Sequence, residues 1–171
     1  MTGTDAETGV LVREGVRWPA TPARPAAVPF AVDFDAGGHL VVAEAGPNAV
    51  ATFAINPADG TLTGIAQAAT GQAATCWIVG AGERFYLSNA GSGTLSGYRD
   101  PGDGTLTPVG DTSTDPGTVD AAVTADGRYL YVQTGAQGIV DGYRIGADGS
   151  LTPVAAVTVP GSVGGEGIVA T

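Results

Sequence analysis

The chain has 171 residues with 28 Gly and 11 Pro, yet 43% are hydrophobic and only 14% charged. That composition supports one folded domain and disfavours both disorder and a helical bundle, because breakers interrupt every window long enough for a helix. Seven basic side chains against 17 acidic ones leave a net charge of -10, which opposes phosphate backbones and anionic headgroups and so argues against nucleic-acid or membrane-surface binding.

From the N-terminus, Asp5-Ala6-Glu7-Thr8-Gly9-Val10-Leu11 aligns with a later turn, Asn56-Pro57-Ala58-Asp59-Gly60-Thr61-Leu62. Residues 10–17 then read as an orphan outer strand, and a long loop with Pro19, Pro22 and Pro25 completes the segment 1–28. Three units follow, at about 29–73, 74–118 and 119–163. Three markers set this period. Asp59-Gly60-Thr61-Leu62-Thr63 returns at Asp103 and Asp148, at spacings of 44 and 45. Val41-Val42-Ala43-Glu44, Tyr86-Leu87-Ser88-Asn89 and Tyr131-Val132-Gln133-Thr134 are each 45 apart, as are Thr52-Phe53, Gly97-Tyr98 and Gly142-Tyr143.

Each unit divides into four short β-like runs. In the middle one these are Thr75 to Val79, Arg84 to Ser88, Thr94 to Arg99 and Thr105 to Gly110, with glycine-rich turns between them. Four strands in some 45 residues make a propeller blade, and Asp-Gly between alternating runs is a strong hairpin signal. Residues 164–171, through Gly167 to Ala170, read as the first strand of a further blade. The expected fold is all-β: a single partial β-propeller of about three four-stranded blades plus two extra strands.

The strands Tyr86-Leu87-Ser88-Asn89 and Tyr131-Val132-Gln133-Thr134 look like degenerate copies of a Tyr-Val-Thr-Asn strand. Together with the Asp-Gly-Thr-Leu-Thr turns and Pro29-Phe30-Ala31-Val32-Asp33-Phe34-Asp35, they make the chain resemble the seven-bladed propeller family of lactonases. Its members include 6-phosphogluconolactonase-like and carboxymuconate-cyclase-like proteins. The resemblance runs from about Asp5 to Thr171 and implies hydrolysis or cyclisation of a small organic-acid lactone without a cofactor. It also implies that the chain is part of a ring, completed by self-association or by a missing half. Related propellers include non-catalytic proteins, so a scaffold that binds a protein or glycan stays open as the alternative.

In propellers of this type the loops from second to third strand, and from fourth to the next first strand, gather at one end of the central channel. Repeat position places Glu44, Asn89 and Thr134 there at second-strand ends, Asp120 and Glu166 at first-strand starts, and Arg24 on the long loop. Lactone chemistry needs proton transfer and a cation for the substrate's carboxylate or phosphate. Glu44, Asp120 and Glu166 are therefore the candidate catalytic acids and bases. Arg24, Asn89, Thr134 and Trp77 are the candidate substrate contacts, although strand-end acids also cap turns and an inner-strand Trp also packs. Arg84, Arg99, Arg128 and Arg144 fall toward the opposite end.

Asp33 sits on an inner strand, where repeat spacing matches it to Ile78 and Val123; its plainer role is to accept from backbone amides of a neighbouring blade. Cys76 and His39 are the sole residues of their types, which excludes an internal disulfide and a thiolate-imidazole zinc site, so no metal is expected. There is no Gly-x-Ser-x-Gly and no phosphate-binding glycine loop. Asp100-Pro101-Gly102-Asp103-Gly104 lacks the spacing of a calcium loop and reads as a hairpin. With no early apolar segment after Met1, the chain as written is expected in the cytoplasm, or secreted if a longer precursor exists.

Overall fold

The computed structural model describes residues 3–4, 11–12 and 27–171. β1 (Gly3–Thr4) and β2 (Leu11–Val12) pair antiparallel, with Gly3 opposite Val12. The outer strand expected near residues 10–17 is thus no orphan: it has a partner on the far side of the predicted turn. That turn and the loop to residue 26 lie outside the described residues.

Three four-stranded antiparallel sheets follow, each a simple meander. The first contains β3 (Pro29–Phe34), β4 (Leu40–Glu44), β5 (Ala49–Ile55) and β6 (Leu62–Ala69). The second contains β7 (Thr75–Gly80), β8 (Arg84–Asn89), β9 (Thr94–Arg99) and β10 (Thr107–Ser113). The third contains β11 (Thr118–Val123), β12 (Tyr129–Thr134), β13 (Ile139–Ile145) and β14 (Leu151–Thr158). These sheets are the predicted blades. No strand forms over 165–171, because a first strand becomes part of a sheet only against a second strand, and none is present for it among the described residues.

Short glycine turns enforce the meander. Asp59, Asp103 and Asp148 each accept through Oδ1 from the backbone N–H and hydroxyl of the residue two further on, Thr61, Thr105 and Ser150. These bonds hold all three carboxyls below the usual range. The intervening Gly60, Gly104 and Gly149 have φ of 73°, 78° and 89°, a region costly for any residue with a Cβ.

Neighbouring blades meet through their first two strands, β3 and β4 on β7, and β7 and β8 on β11. One apolar cluster joins Ala31, Val41, Ala43 and Val50 of the first blade to Ile78, Phe85, Leu87 and Tyr98 of the second. Another joins Tyr86 and Leu95 to Ala121, Leu130, Val132 and Tyr143 of the third. The middle strands are therefore buried on both faces, whereas β14 is exposed along nearly its whole length. Tyrosine hydroxyls add a repeated bond at each junction. Tyr98 Oη donates to Ala69 O (3.0 Å) and Tyr143 Oη to Ser113 O (2.9 Å), each reaching the end of the previous blade's outermost strand.

Candidate functional site

Every first strand carries a one-residue bulge at the end that opens toward the second-strand tips. The register slips between Pro29 and Ala31, between Thr75 and Trp77, and between Thr118 and Ala121. A bulge bends its strand and re-aims the side chains around it. At the second of these bulges Cys76 Sγ approaches Thr118 O of the third blade (3.9 Å), and the charges of Asp120 and of Glu166, beyond the last sheet, both act on its thiol. Burial pushes the Cys76 thiol up and the two carboxylates push it further, outweighing backbone bonds that oppose them. Cys76 is thus a protonated thiol rather than a nucleophile. Of the two predicted acids whose charges reach it, Asp120 is buried and Glu166 exposed.

Glu44 belongs to another constellation. It is 2% exposed and accepts from Gln67 Nε2 of β6. Asn89 and Thr134, expected at the rim, are fully buried. Thr75 Oγ1 donates to Asn89 Oδ1 (2.6 Å), and Asn89 Nδ2 donates to Ser96 Oγ (2.9 Å) and Thr94 Oγ1 (3.2 Å). Ser96 Oγ in turn donates to Asp111 Oδ1 (2.6 Å), which also bonds Gln72 through its other oxygen. Thr134 Oγ1 donates to Ile139 O (3.0 Å). Both second-strand tips therefore tie down the loops rather than reach the channel. Trp77 packs against both inter-blade clusters, and its Nε1 donates to Ala121 O (3.3 Å), as a structural residue does. Arg24 lies outside the described residues.

Asp33 behaves as its plainer reading requires: Oδ2 accepts from Gly80 N of the second blade (2.7 Å). Its counterparts differ from those that simple spacing gives. Asp33 pairs with Val41, Val79 with Tyr86 and Ala122 with Tyr131, so the differing lengths of the three hairpins shift the equivalence to Val79 and Ala122. The described arginine contacts share one end of the blades, together with several acids. Arg99 pairs with Glu83 (2.7 Å) and Arg128 with Asp126 (2.6 Å), and Arg84 donates to Ala147 O, all at the end away from Asp120.

Sequence reasoning missed the acids held inside the loops. Asp141, in the strand position filled by Ser96 one repeat earlier, accepts from Asp115 N (2.9 Å). Burial pushes its carboxyl up, and the Asp115 charge adds to the effect. The signal was present, since Asp141 directly precedes the Gly142-Tyr143 marker where a neutral residue stands in the other units. Among the described residues no group of three or more His, Cys, Asp or Glu is arranged to hold a metal.

Three successive four-stranded meanders, packed by their first strands around an axis, define a β-propeller. The model of the family described as Lactonase, 7-bladed beta-propeller matches residues 32–165, and the chain belongs to that family. No curated protein sequence matches it. A Lactobacillus plantarum protein superposes with a TM-score of 0.73 at 21% identity, over 90% of this chain and 49% of its own. The periplasmic gluconolactonase of Pseudomonas aeruginosa gives 0.65 at 19%, over 78% and 43%. A candidate 6-phosphogluconolactonase from Bacteroides uniformis gives 0.71 at 16%, over 92% and 50%. At such identities the likeness speaks for the fold. The chain spans about half the length of these structures.

Proposed function

We propose that this chain forms part of the wall of a lactonase-type channel and acts, without a cofactor, on the ring of a small organic-acid lactone. The supporting observation is that the charges of Asp120 and Glu166 both act on one thiol, Cys76, in a chain of the lactonase propeller family. One carboxylate takes a proton from water as its oxygen attacks the lactone carbonyl. The proton returns to the ring oxygen as the C–O bond breaks, leaving a hydroxy acid. Glu44 is the third acid of this end, and Arg24 is the group suited to the substrate's own carboxylate or phosphate.

Val32 and Phe34 are exposed on the first blade, while Ala31 and Asp33 of the same strand face the second blade. In a closed ring another blade covers such a surface, supplied by a second copy or by a further half. Ring opening followed by pH-stat tests the assignment. Asp120→Ala and Glu166→Ala are expected to lose about 10²-fold or more in turnover, and unchanged rates in both overturn it.

A second reading rests on the placing of the arginines, because the described Arg contacts all lie at the far end from Asp120. On that reading the acidic rim is a non-catalytic surface for a protein or glycan. Lactones then stay intact with the wild type, and a partner that binds the rim is released by Asp120→Asn.

A further inference from the structure

At the end away from Cys76, the turn between β3 and β4 meets the turn between β9 and β10 backbone to backbone. A Cβ on Gly37 would lie 2.1 Å from Gly102 O, and Thr52 Oγ1 donates to Gly104 O across the contact (2.6 Å). Each turn contributes a buried acid, Asp35 at 7% exposure and Asp100 at 1%. Asp35 Oδ1 accepts from His39 N, and Oδ2 bonds His39 Nδ1, both at 2.7 Å. Asp100 Oδ1 accepts from Gly102 N (2.8 Å) and Gly104 N (3.2 Å). Asp100 Oδ2 is buried with no donor. The group that adjoins it is the Asp35 carboxyl. Two carboxylates offer each other only acceptors, so they repel unless one keeps a proton and donates it to the other.

We propose that the junction of the first and second blades retains a proton on Asp100, donated to Asp35, and that this shared proton makes the junction pH-sensitive. The groups that face it are Asp35 and His39 from the first turn and Asp100 and Asp103 from the second; β5 contributes the uncharged Thr52, and the exposed Glu83–Arg99 pair flanks the site. Burial holds Asp100 above the usual carboxylate range, and the Asp35 charge adds to this against the two glycine amides. Burial also opposes charge on Asp35, but the bonds from His39 outweigh it and hold that carboxyl low. Above the ordinary carboxylate range the folded chain therefore binds more protons than the unfolded chain. Stability from Asp100 falls as pH climbs toward its raised value, while that from Asp35 is lost as pH falls.

In an infrared pH titration of the whole chain, part of the protonated-carboxyl band is expected to persist after the ordinary carboxyls have ionised, and Asp100→Asn is expected to remove a share of that late band, the rest belonging to Asp141. The wild-type Tm is expected to fall by about 3–5 °C for each tenfold change in proton affinity as pH rises through that window. Asp100→Asn is expected to fall less steeply, since an amide supplies the missing donor permanently and only the raised Asp141 is left to lose its proton in that window. A wild-type spectrum without the band overturns the proposal even if the variant does not fold. An unchanged pH slope in a folded Asp100→Asn variant overturns it equally.

Discussion

The two blade junctions place the same kind of residue at the same position and solve the contact in opposite ways. His39 and Arg84 stand 45 residues apart at the start of a second strand; His39 bonds Asp35 of its own turn and its charge reaches Asp103 of the next blade, whereas Arg84 bonds the next blade's Asp-Gly turn directly. At the first junction the buried group left without a partner is an acceptor, Asp100 Oδ2. At the second it is a donor, Arg84 Nε, beside a turn whose Ala147 and Gly149 carbonyls take bonds from Arg84 Nη2 and Tyr86 Oη. The repeat thus dictates where blades touch, and individual side chains decide which chemistry fills the contact.

Truncating the apolar clusters breaks this comparison most strongly. Leu87 and Leu130 are both fully buried, one in each cluster. Leu87→Ala and Leu130→Ala are each expected to cost about 3 kcal/mol in denaturant titrations. A single transition with an unchanged m value in both variants would mean that the two junctions share one cooperative unit. Intermediate in size is alanine at the turn glycines. Gly60→Ala meets nothing within 4 Å and costs only the backbone strain, about 1 kcal/mol. Gly104→Ala meets Ile65 Cδ1 at 2.6 Å and Gly149→Ala meets Arg84 Nε at 2.9 Å, so both are expected to lose more than Gly60→Ala in the same titration.

The smallest effect belongs to the hydroxyl at the second junction. Burial pushes the Tyr86 phenol up to about 12, with the Asp148 charge adding and Arg84 opposing. A phenol that keeps its proton longer when folded contributes stability below its unfolded value near 10, and that contribution fades between about pH 10 and 12. Tyr86→Phe is expected to cost about 1 kcal/mol at neutral pH and to flatten the alkaline arm of the Tm profile. Tyr143, also pushed up to about 12 by burial, sustains what remains of that arm.

The blades were legible because their turns announce themselves locally: an Asp side chain bonding two residues ahead and a glycine at positive φ are properties of five consecutive letters. The candidate site was less so. A bulge is an offset between two strands, and Thr75-Cys76-Trp77 carries no mark of it until Asn89 and Ser88 are placed opposite. A hairpin one residue shorter between β7 and β8 than between β3 and β4 moves the counterpart of Asp33 from Ile78 to Val79. Asn89 looked like a rim residue because its strand ends there, but Thr75 and Ser96 enclose it from adjacent strands. The pairing of Asp35 with Asp100 depends on which turns of successive blades face each other, and no single unit records that.

The tyrosine bonds give the propeller a direction. Tyr98 and Tyr143 both reach back to the preceding blade, and the same position in the first blade is Phe53, which has no hydroxyl to extend. During synthesis, N-terminal parts emerge and fold first. The second and third blades therefore each leave the ribosome with an anchor pointed at an edge that has emerged before them.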